Sequence, residues 1–294
     1  HTAYRRQRQM CIRDRLPTPR VITVTSDSED GEGVADTGDK VTITGENFGT
    51  DPSDISVSFN GTPAEFELVD ESTIVATTPA DYQTGSVTVT IHGYTMTGGA
   101  MFNPNSKGDV TVLYLQNYKQ PFAKANDESW KNGEWWTPAV WNQNAASFNA
   151  KGNTTVSGMQ YKSEEGLTLA FQNGWDKEAY TNGKMWQVAT LRPGKYRLEV
   201  TYAYTLVVTD AGNFISVLIA KGDSESDIPN VADLEQLNGV YVAYDKMGTA
   251  NDSGTLVTPS FEVTETTDVV IGFLTSLAKG NSYFKVTELK LILE

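Results

Sequence analysis

Histidine and cysteine are almost missing from this chain. Its 294 residues include two histidines, His1 and His92, and one cysteine, Cys11. Ser-His-Asp and Cys-His catalysis and a histidine-based zinc site are therefore all but excluded. Beyond Cys11 there is no disulfide and no thiol chemistry. Cys11 also lacks the preceding apolar stretch that a lipid-attachment cysteine needs. No run approaches the ~18 apolar residues of a membrane span, and no segment carries a helical period. Positive charge is scarce: 23 Lys and Arg stand against 37 Asp and Glu, a net charge of −14. Such a body is repelled by nucleic acid and by anionic membranes.

The exception to that acidity is the first stretch, which holds Arg5, Arg6, Arg8, Arg13 and Arg15 against Asp14. AYRRQRQMCIRDR resembles the translated adapter read-through found at the ends of metagenomic gene models. Residues 1–16 are therefore expected to be a disordered or artefactual tail, with the true N-terminus and any export signal or lipid anchor missing from this chain.

From Pro19 onward the pattern is one of short strands. Val21–Val24, Val41–Thr44, Val57–Phe59, Thr73–Thr77 and Val87–Ile91 alternate or carry β-branched residues, and turn signals separate them. Asn60-Gly61 is a two-residue hairpin signal, and Gly45 and Gly49 read as turn glycines. Short strands about ten residues apart predict a β-sandwich over 17–103. Asn103-Pro104-Asn105-Ser106-Lys107-Gly108 then has the composition of a boundary, with a linker at 104–108.

Residues 109–294 also read as β. Strands are expected at Val110–Leu115, Gly166–Phe171, Tyr196–Tyr202, Phe214–Ala220, Val240–Tyr244, Phe261–Val263, Val269–Leu274 and Phe284–Leu293. Leu191-Arg192-Pro193-Gly194 is the turn into the Tyr196 strand. Phe214–Ala220 is apolar throughout, as in a strand covered on both faces. In the last strand Phe284 and Val286 share one phase, and Leu289, Leu291 and Leu293 the other, which requires a bulge near Thr287-Glu288. The fold class is all-β, an N-terminal immunoglobulin-like sandwich followed by a C-terminal jelly-roll sandwich.

Two blocks carry family resemblances. GDKVTITGENFG, VSFNGTPA, STIVATTPA and GSVTVTI, within residues 38–91, resemble an IPT/TIG domain. That implies a spacer or interaction module without activity. GKMWQVATLRPGKYRLEV, residues 183–200, resembles the centre of galactose-binding-like jelly rolls, and YFKVTELKLIL resembles their last strand. The tandem is similar to surface glycan-binding lipoproteins of Bacteroidota polysaccharide-utilisation systems. The resemblance implies an outer-membrane surface location through a lipid anchor, as a monomer or as part of an uptake complex. It carries over no ligand residue.

The site is sought among aromatics and amides. All six tryptophans lie between 130 and 186, interleaved with Asn and Gln. Sugar rings stack their CH faces on aromatic rings and bond their hydroxyls to amides and carboxylates. The site is therefore expected on the 126–144 and 173–184 segments, with Trp175, Trp141, Trp136, Tyr180, Asn173 and Asp176 as ligand-binding residues. Of Trp135 and Trp136, one is expected to be buried, and Trp186 is expected in the core opposite the Tyr196 strand. No cofactor is expected. Asp223, Glu225 and Asp227 at alternate positions leave a structural Ca²⁺ open, against a solvated acidic loop. His92 is expected at the rim.

Three functions remain open: a non-catalytic cell-surface protein binding polysaccharide or oligosaccharide, an adhesin or protein-interaction module, and an accessory or catalytic module of a glycoside hydrolase. No sequence pattern singles out the carboxylate pair that the last would need.

Overall fold

The computed structural model describes residues 17–28, 33–125, 135–148, 157–173, 179–207, 212–248, 252–278 and 282–294. Residues 1–16, including Cys11, lie outside them. The chain divides into two compact units, 1–106 and 107–294.

The first unit is a β-sandwich of β1 (Arg20–Ser26), β2 (Lys40–Glu46), β3 (Ile55–Phe59), β4 (Thr62–Ala64), β5 (Phe66–Asp70), β6 (Thr73–Thr77), β7 (Gly85–Ile91) and β8 (Tyr94–Met101). Its sheets run β1-β2-β6-β5 and β4-β3-β7-β8. Period-two alternation turns Val41, Ile43, Val57, Phe59, Val87, Val89 and Ile91 into one core. Asn60 and Gly61, both at positive φ, make the expected hairpin between β3 and β4. His92 and Gly93, also at positive φ, make a second between β7 and β8. The His92 imidazole sits half exposed, 3.3 Å from the Asp54 carboxylate.

Gly45 is not the turn glycine expected. It lies inside β2, where a Cβ would meet the Arg20 carbonyl at 2.1 Å and the Phe48 ring at 2.3 Å. The expected linker is also shared out. Ser106 is buried and bonds back to Thr84, whereas Gly108 and Asp109 form β9 of the second unit.

The second unit is a jelly-roll β-sandwich. The larger sheet runs β10 (Trp135–Trp136), β12 (Ser157–Lys162), β13 (Gly166–Gln172), β21 (Tyr283–Leu293), β15 (Gly194–Tyr202) and β18 (Gly254–Val257). Onto it pair β9 (Gly108–Asp109) and β19 (Phe261–Val263). The facing sheet runs β11 (Asn142–Gln143), β14 (Tyr180–Leu191), β20 (Thr267–Leu277), β16 (Phe214–Lys221) and β17 (Val242–Lys246). Between them Phe171, Phe273, Phe284 and Tyr202 stack at 5.1–6.4 Å between ring centres.

The expected bulge in β21 is present. Thr201 pairs with Glu288 and Tyr202 with Val286, which leaves Thr287 without a partner position. Both phases of the strand thereby face the core. β16 is buried from Ile215 to Ala220. Its outer face lies under Ile228 and Leu234, the latter in a helical turn, Leu234–Leu237.

Two further expectations fail. Thr111–Tyr114 is a helical turn rather than part of a strand. The Asp109 carboxylate accepts the Thr111 N–H at 3.0 Å and hydroxyl at 2.5 Å, a side-chain bond that competes with extended backbone. Trp186, buried as expected, is not opposite the Tyr196 strand. β14 and β15 lie in different sheets, joined through Arg192-Pro193, and Trp186 pairs with Asn142 and Gly272.

Candidate functional site

Two residues expected at the site, Trp175 and Asp176, lie outside the described residues, as does Trp130. The structure scatters the others. Trp141 is 5% exposed; its ring lies 5.7 Å from that of Phe273, and its Nε1–H donates to the Asn117 carbonyl at 3.0 Å. Tyr180 is 6% exposed and bonds Thr275 Oγ1 at 3.0 Å. Burial pushes its phenol well above the usual range. Neither ring has a face open to a sugar. Asn173 is 3% exposed, and its carbonyl oxygen accepts the Ser282 N–H at 3.3 Å. Trp136 is half buried, with the Lys124 ammonium 5.1 Å from its ring centre.

Residues 180–184 of the expected 173–184 segment are the start of strand β14. Asn182 adopts φ +54 at a register shift between Tyr180 and Gly183. Its polar residues bond inward. Asn182 Oδ1 accepts the Val231 N–H at 2.9 Å. Lys184 Nζ donates to the Ile228 carbonyl at 2.6 Å and the Glu225 carbonyl at 3.2 Å, and burial lowers its pKa. The Asp223–Asp227 loop uses its last carboxylate as a cap. Asp227 Oδ2 accepts from Ser224 Oγ at 2.6 Å, Ser224 N at 3.0 Å and Asp223 N at 3.1 Å. Among the described residues no three acidic, histidine or cysteine groups cluster as a metal site.

A different place gathers binding chemistry. On the outer face of the larger sheet, a cleft of about 420 Å³ is lined by Trp135, Gln160, Lys162, Glu165, Gln172, Tyr283 and Lys285. Strand parity builds it. Met159, Leu169, Phe171, Phe284 and Val286 point into the core, so their neighbours Gln160, Gln172, Tyr283 and Lys285 point out. Register then sets them side by side: Trp135 opposite Gln160, Gln172 opposite Tyr283, Lys285 opposite Ala170. Ala170 contributes only a methyl group, which leaves room above it.

The cleft is held from outside. Glu165 ends the turn between β12 and β13, and its carbonyl accepts Gln120 Nε2–H at 2.8 Å. Its carboxylate pairs with Lys285, whose ammonium also lies 5.3 Å from the Tyr283 ring centre. One acceptor is left over. Gln160 is 4% exposed, and its buried Oε1 has no hydrogen-bond partner among the described residues.

The sequence reading missed this cleft. The polar alternation in β13 and β21 was visible, but Ser157–Lys162 has no β-branched residue to mark it as a strand. Nor does a sequence show that β12, β13 and β21 are neighbours.

Residues 31–106 match the IPT/TIG domain family. Residues 116–272 match the family described as Domain of unknown function (DUF5013). No curated protein matches the chain. Solved structures similar to it include SGBP-B from a complex xyloglucan utilization locus in Bacteroides uniformis, at 15% identity, 94% of this chain, 73% of that one and TM-score 0.27. The CBM22-1 xylan-binding domain of Paenibacillus barcinonensis Xyn10C is similar at 12% identity, 58% of this chain, 97% of that one and TM-score 0.30. The enzymatically active domain of bacteriophage CBA120 tailspike protein 4 is similar at 10% identity, 53% of this chain, 20% of that one and TM-score 0.33. None of the three decides a ligand or an activity.

Proposed function

The chain belongs to the DUF5013 family and carries an IPT/TIG domain ahead of that region, and from this premise we propose a non-catalytic glycan-binding protein of the cell surface. The observation that carries the reading is the cleft on the larger sheet. Two aromatics, two amides and a charged pair meet there. Tyr283 is half buried and offers a ring to stack on a sugar, whereas Trp135, 4% exposed, only walls the cleft; amides and charges offer partners to the hydroxyls. A volume of about 420 Å³ falls within the ordinary range of ligand sites.

The absence of catalysis is argued from the same residues. Glycoside hydrolysis needs two carboxylates flanking the scissile bond. Among the described residues lining the cleft, the one carboxylate is Glu165, and it is paired with Lys285. In this reading the IPT/TIG unit is a spacer, and a lipid anchor ahead of this chain would hold both units at the outer-membrane surface.

Affinity electrophoresis of the full chain against a panel of soluble polysaccharides tests the proposal. At least one should retard the protein, and a reducing-sugar assay on that polysaccharide should show no turnover. Retardation by none, or release of reducing ends, would overturn it.

A further inference from the structure

We propose that Leu206 is a second contact for the ligand, so that the site takes at least two linked sugar units lying across the strands, one on Tyr283 and the next with its CH face on Leu206. The inference rests on the glycan reading above and extends it past the cleft.

Register places the leucine. On one side Tyr283 pairs with Gln172 of β13. On the other it pairs with Leu206, whose N–H donates to the Tyr283 carbonyl at 2.9 Å and whose carbonyl accepts the Tyr283 N–H at 2.7 Å. Directly paired residues share a face of the sheet. Gln172, Tyr283 and Leu206 therefore stand in a row on the outer face, about 5 Å from one to the next. Gln172 and Tyr283 are half buried and Leu206 is 45% exposed, so all three can be reached from solvent.

A lone exposed leucine would mean little. This one is set there by a bulge. Tyr202 pairs with Val286 and Leu206 with Tyr283, four steps along one segment against three along the other. Tyr202 and Val286 both point into the core. Regular alternation would bring Leu206 back to the core side as well, and the extra residue turns it out. That bulge holds Tyr204 at φ +52, a conformation that a tyrosine adopts only under constraint. The constraint is main-chain bonding on both sides of it. Ala203 N–H donates to the Lys285 carbonyl at 3.0 Å, and Thr205 N–H to the Asp252 carbonyl at 2.9 Å. The Thr205 hydroxyl accepts the Lys285 N–H at 3.1 Å. A strained, fixed bulge that re-aims an apolar side chain beside a binding cleft is a device of function rather than of packing.

The row matches a glycan chain in its chemistry. A ring and an aliphatic side chain in line suit successive CH faces, and the Gln172 amide beside them suits hydroxyls. One unit on Tyr283 leaves Leu206 in water. A second unit removes that apolar surface from water, and the gain adds to the binding.

The test uses the full chain and any soluble polysaccharide that retards it in affinity gels, together with the size-sorted fragments of that polysaccharide from partial acid hydrolysis. The variants are Leu206→Ser, which removes the apolar contact, Leu206→Phe, which keeps it, and Tyr283→Ala as a cleft control. Calorimetry on the wild type should show affinity rising at least roughly fivefold from one unit to two, the worth of covering about half a leucine. Leu206→Ser should bind two units and the whole polymer roughly fivefold more weakly and one unit within about twofold of wild type. Leu206→Phe should stay within about threefold on every fragment. The melting temperature of Leu206→Ser should remain within about 2 °C of wild type, since the side chain is half exposed.

Leu206→Ser binding the polymer like the wild type, while Tyr283→Ala binds it more weakly, overturns the proposal and leaves the glycan reading standing. So does a Leu206→Ser loss that is equal for one unit and for two, which would put the leucine at the first unit. A melting temperature lowered by more than about 4 °C overturns it as well, because Leu206 would then be a packing residue. Unchanged binding in both Leu206→Ser and Tyr283→Ala moves the surface elsewhere and removes the cleft and this inference together. Failure of every polysaccharide to bind the wild type overturns the glycan reading, and this inference with it.

Discussion

Trp135 and Gln160 face each other across the β10–β12 pair, both on the outer face of the larger sheet and both almost wholly buried. Directly opposed side chains sit about 5 Å apart at Cβ, so the indole shields the amide from water on that side. An aromatic wall beside a buried amide is what separates this cleft from an ordinary polar sheet surface.

Tyr283→Ala should weaken glycan binding roughly tenfold, as the loss of one aromatic contact. Tyr283 is half buried, so the cost in stability should stay under about 2 kcal/mol. Trp141→Ala should do the opposite, costing about 3–5 kcal/mol as a core truncation. Titration calorimetry and thermal melts on both variants decide this. Unchanged affinity in Tyr283→Ala would move the binding surface elsewhere.

Glu165→Gln should destabilise the protein by about 2–4 kcal/mol, because it leaves the Lys285 ammonium buried without its counter-charge. Adding Lys285→Met should restore part of that loss, since the orphaned charge disappears with it. Urea midpoints at pH 7 for the two single variants and the double variant show whether the effects couple. Simple additivity would mean the pair is not coupled.

Asp227 gives a pH dependence. The Ser224 hydroxyl, then the Ser224 and Asp223 amides, hold its carboxyl below the usual 3.8. A carboxyl whose folded pKa is depressed contributes fully above the unfolded value, and the contribution is lost as pH falls through the folded one. The gap in melting temperature between wild type and Asp227→Asn should therefore be constant from about pH 7 to 5 and narrow below about pH 4. A gap that widens in acid would contradict the cap.

Gly272→Ala should cost about 3 kcal/mol. Its Cβ would stand 2.1 Å from the Met185 carbonyl oxygen and 2.8 Å from the Trp186 Cα, so β14 and β20 must part. Gly239→Ala meets nothing within 4 Å but sits at φ +78 and should cost only about 1–2 kcal/mol. Denaturant midpoints of the two variants separate a packing clash from backbone strain.

Much of the fold was legible because its signals are local. The Asn60-Gly61 hairpin, the two-faced burial of Phe214–Ala220 and the bulge at Thr287 each follow from a few adjacent residues. What the sequence hid was non-local. Trp141 and Trp135 sit in similar polar, Asn-rich stretches, yet Trp141 packs on Phe273 from the facing sheet and Trp135 lines the cleft. Local composition could not separate them, because the strand order β10-β12-β13-β21 decides which face each indole meets. Tyr180 and Lys184 misled for a related reason. The polar residues around them suggested a ligand surface, but their partners Thr275 and Ile228 arrive from distant segments.

The position of β21 governs how this unit can be made. It lies between β13 and β15 in the larger sheet, yet it is synthesised after every other strand of the unit. Asn173 and Ser282, which bond at its entry, are 109 residues apart. As the polypeptide leaves the ribosome, β13 and β15 emerge with no strand between them, and the apolar faces of Phe171 and Leu198 stay uncovered until Leu293 is out. Loop closure of that length is slow, and open edges of that kind invite aggregation. The nascent unit is thus a natural client for a holding chaperone, and a nascent chain stalled before Tyr283 should bind one where the finished chain does not.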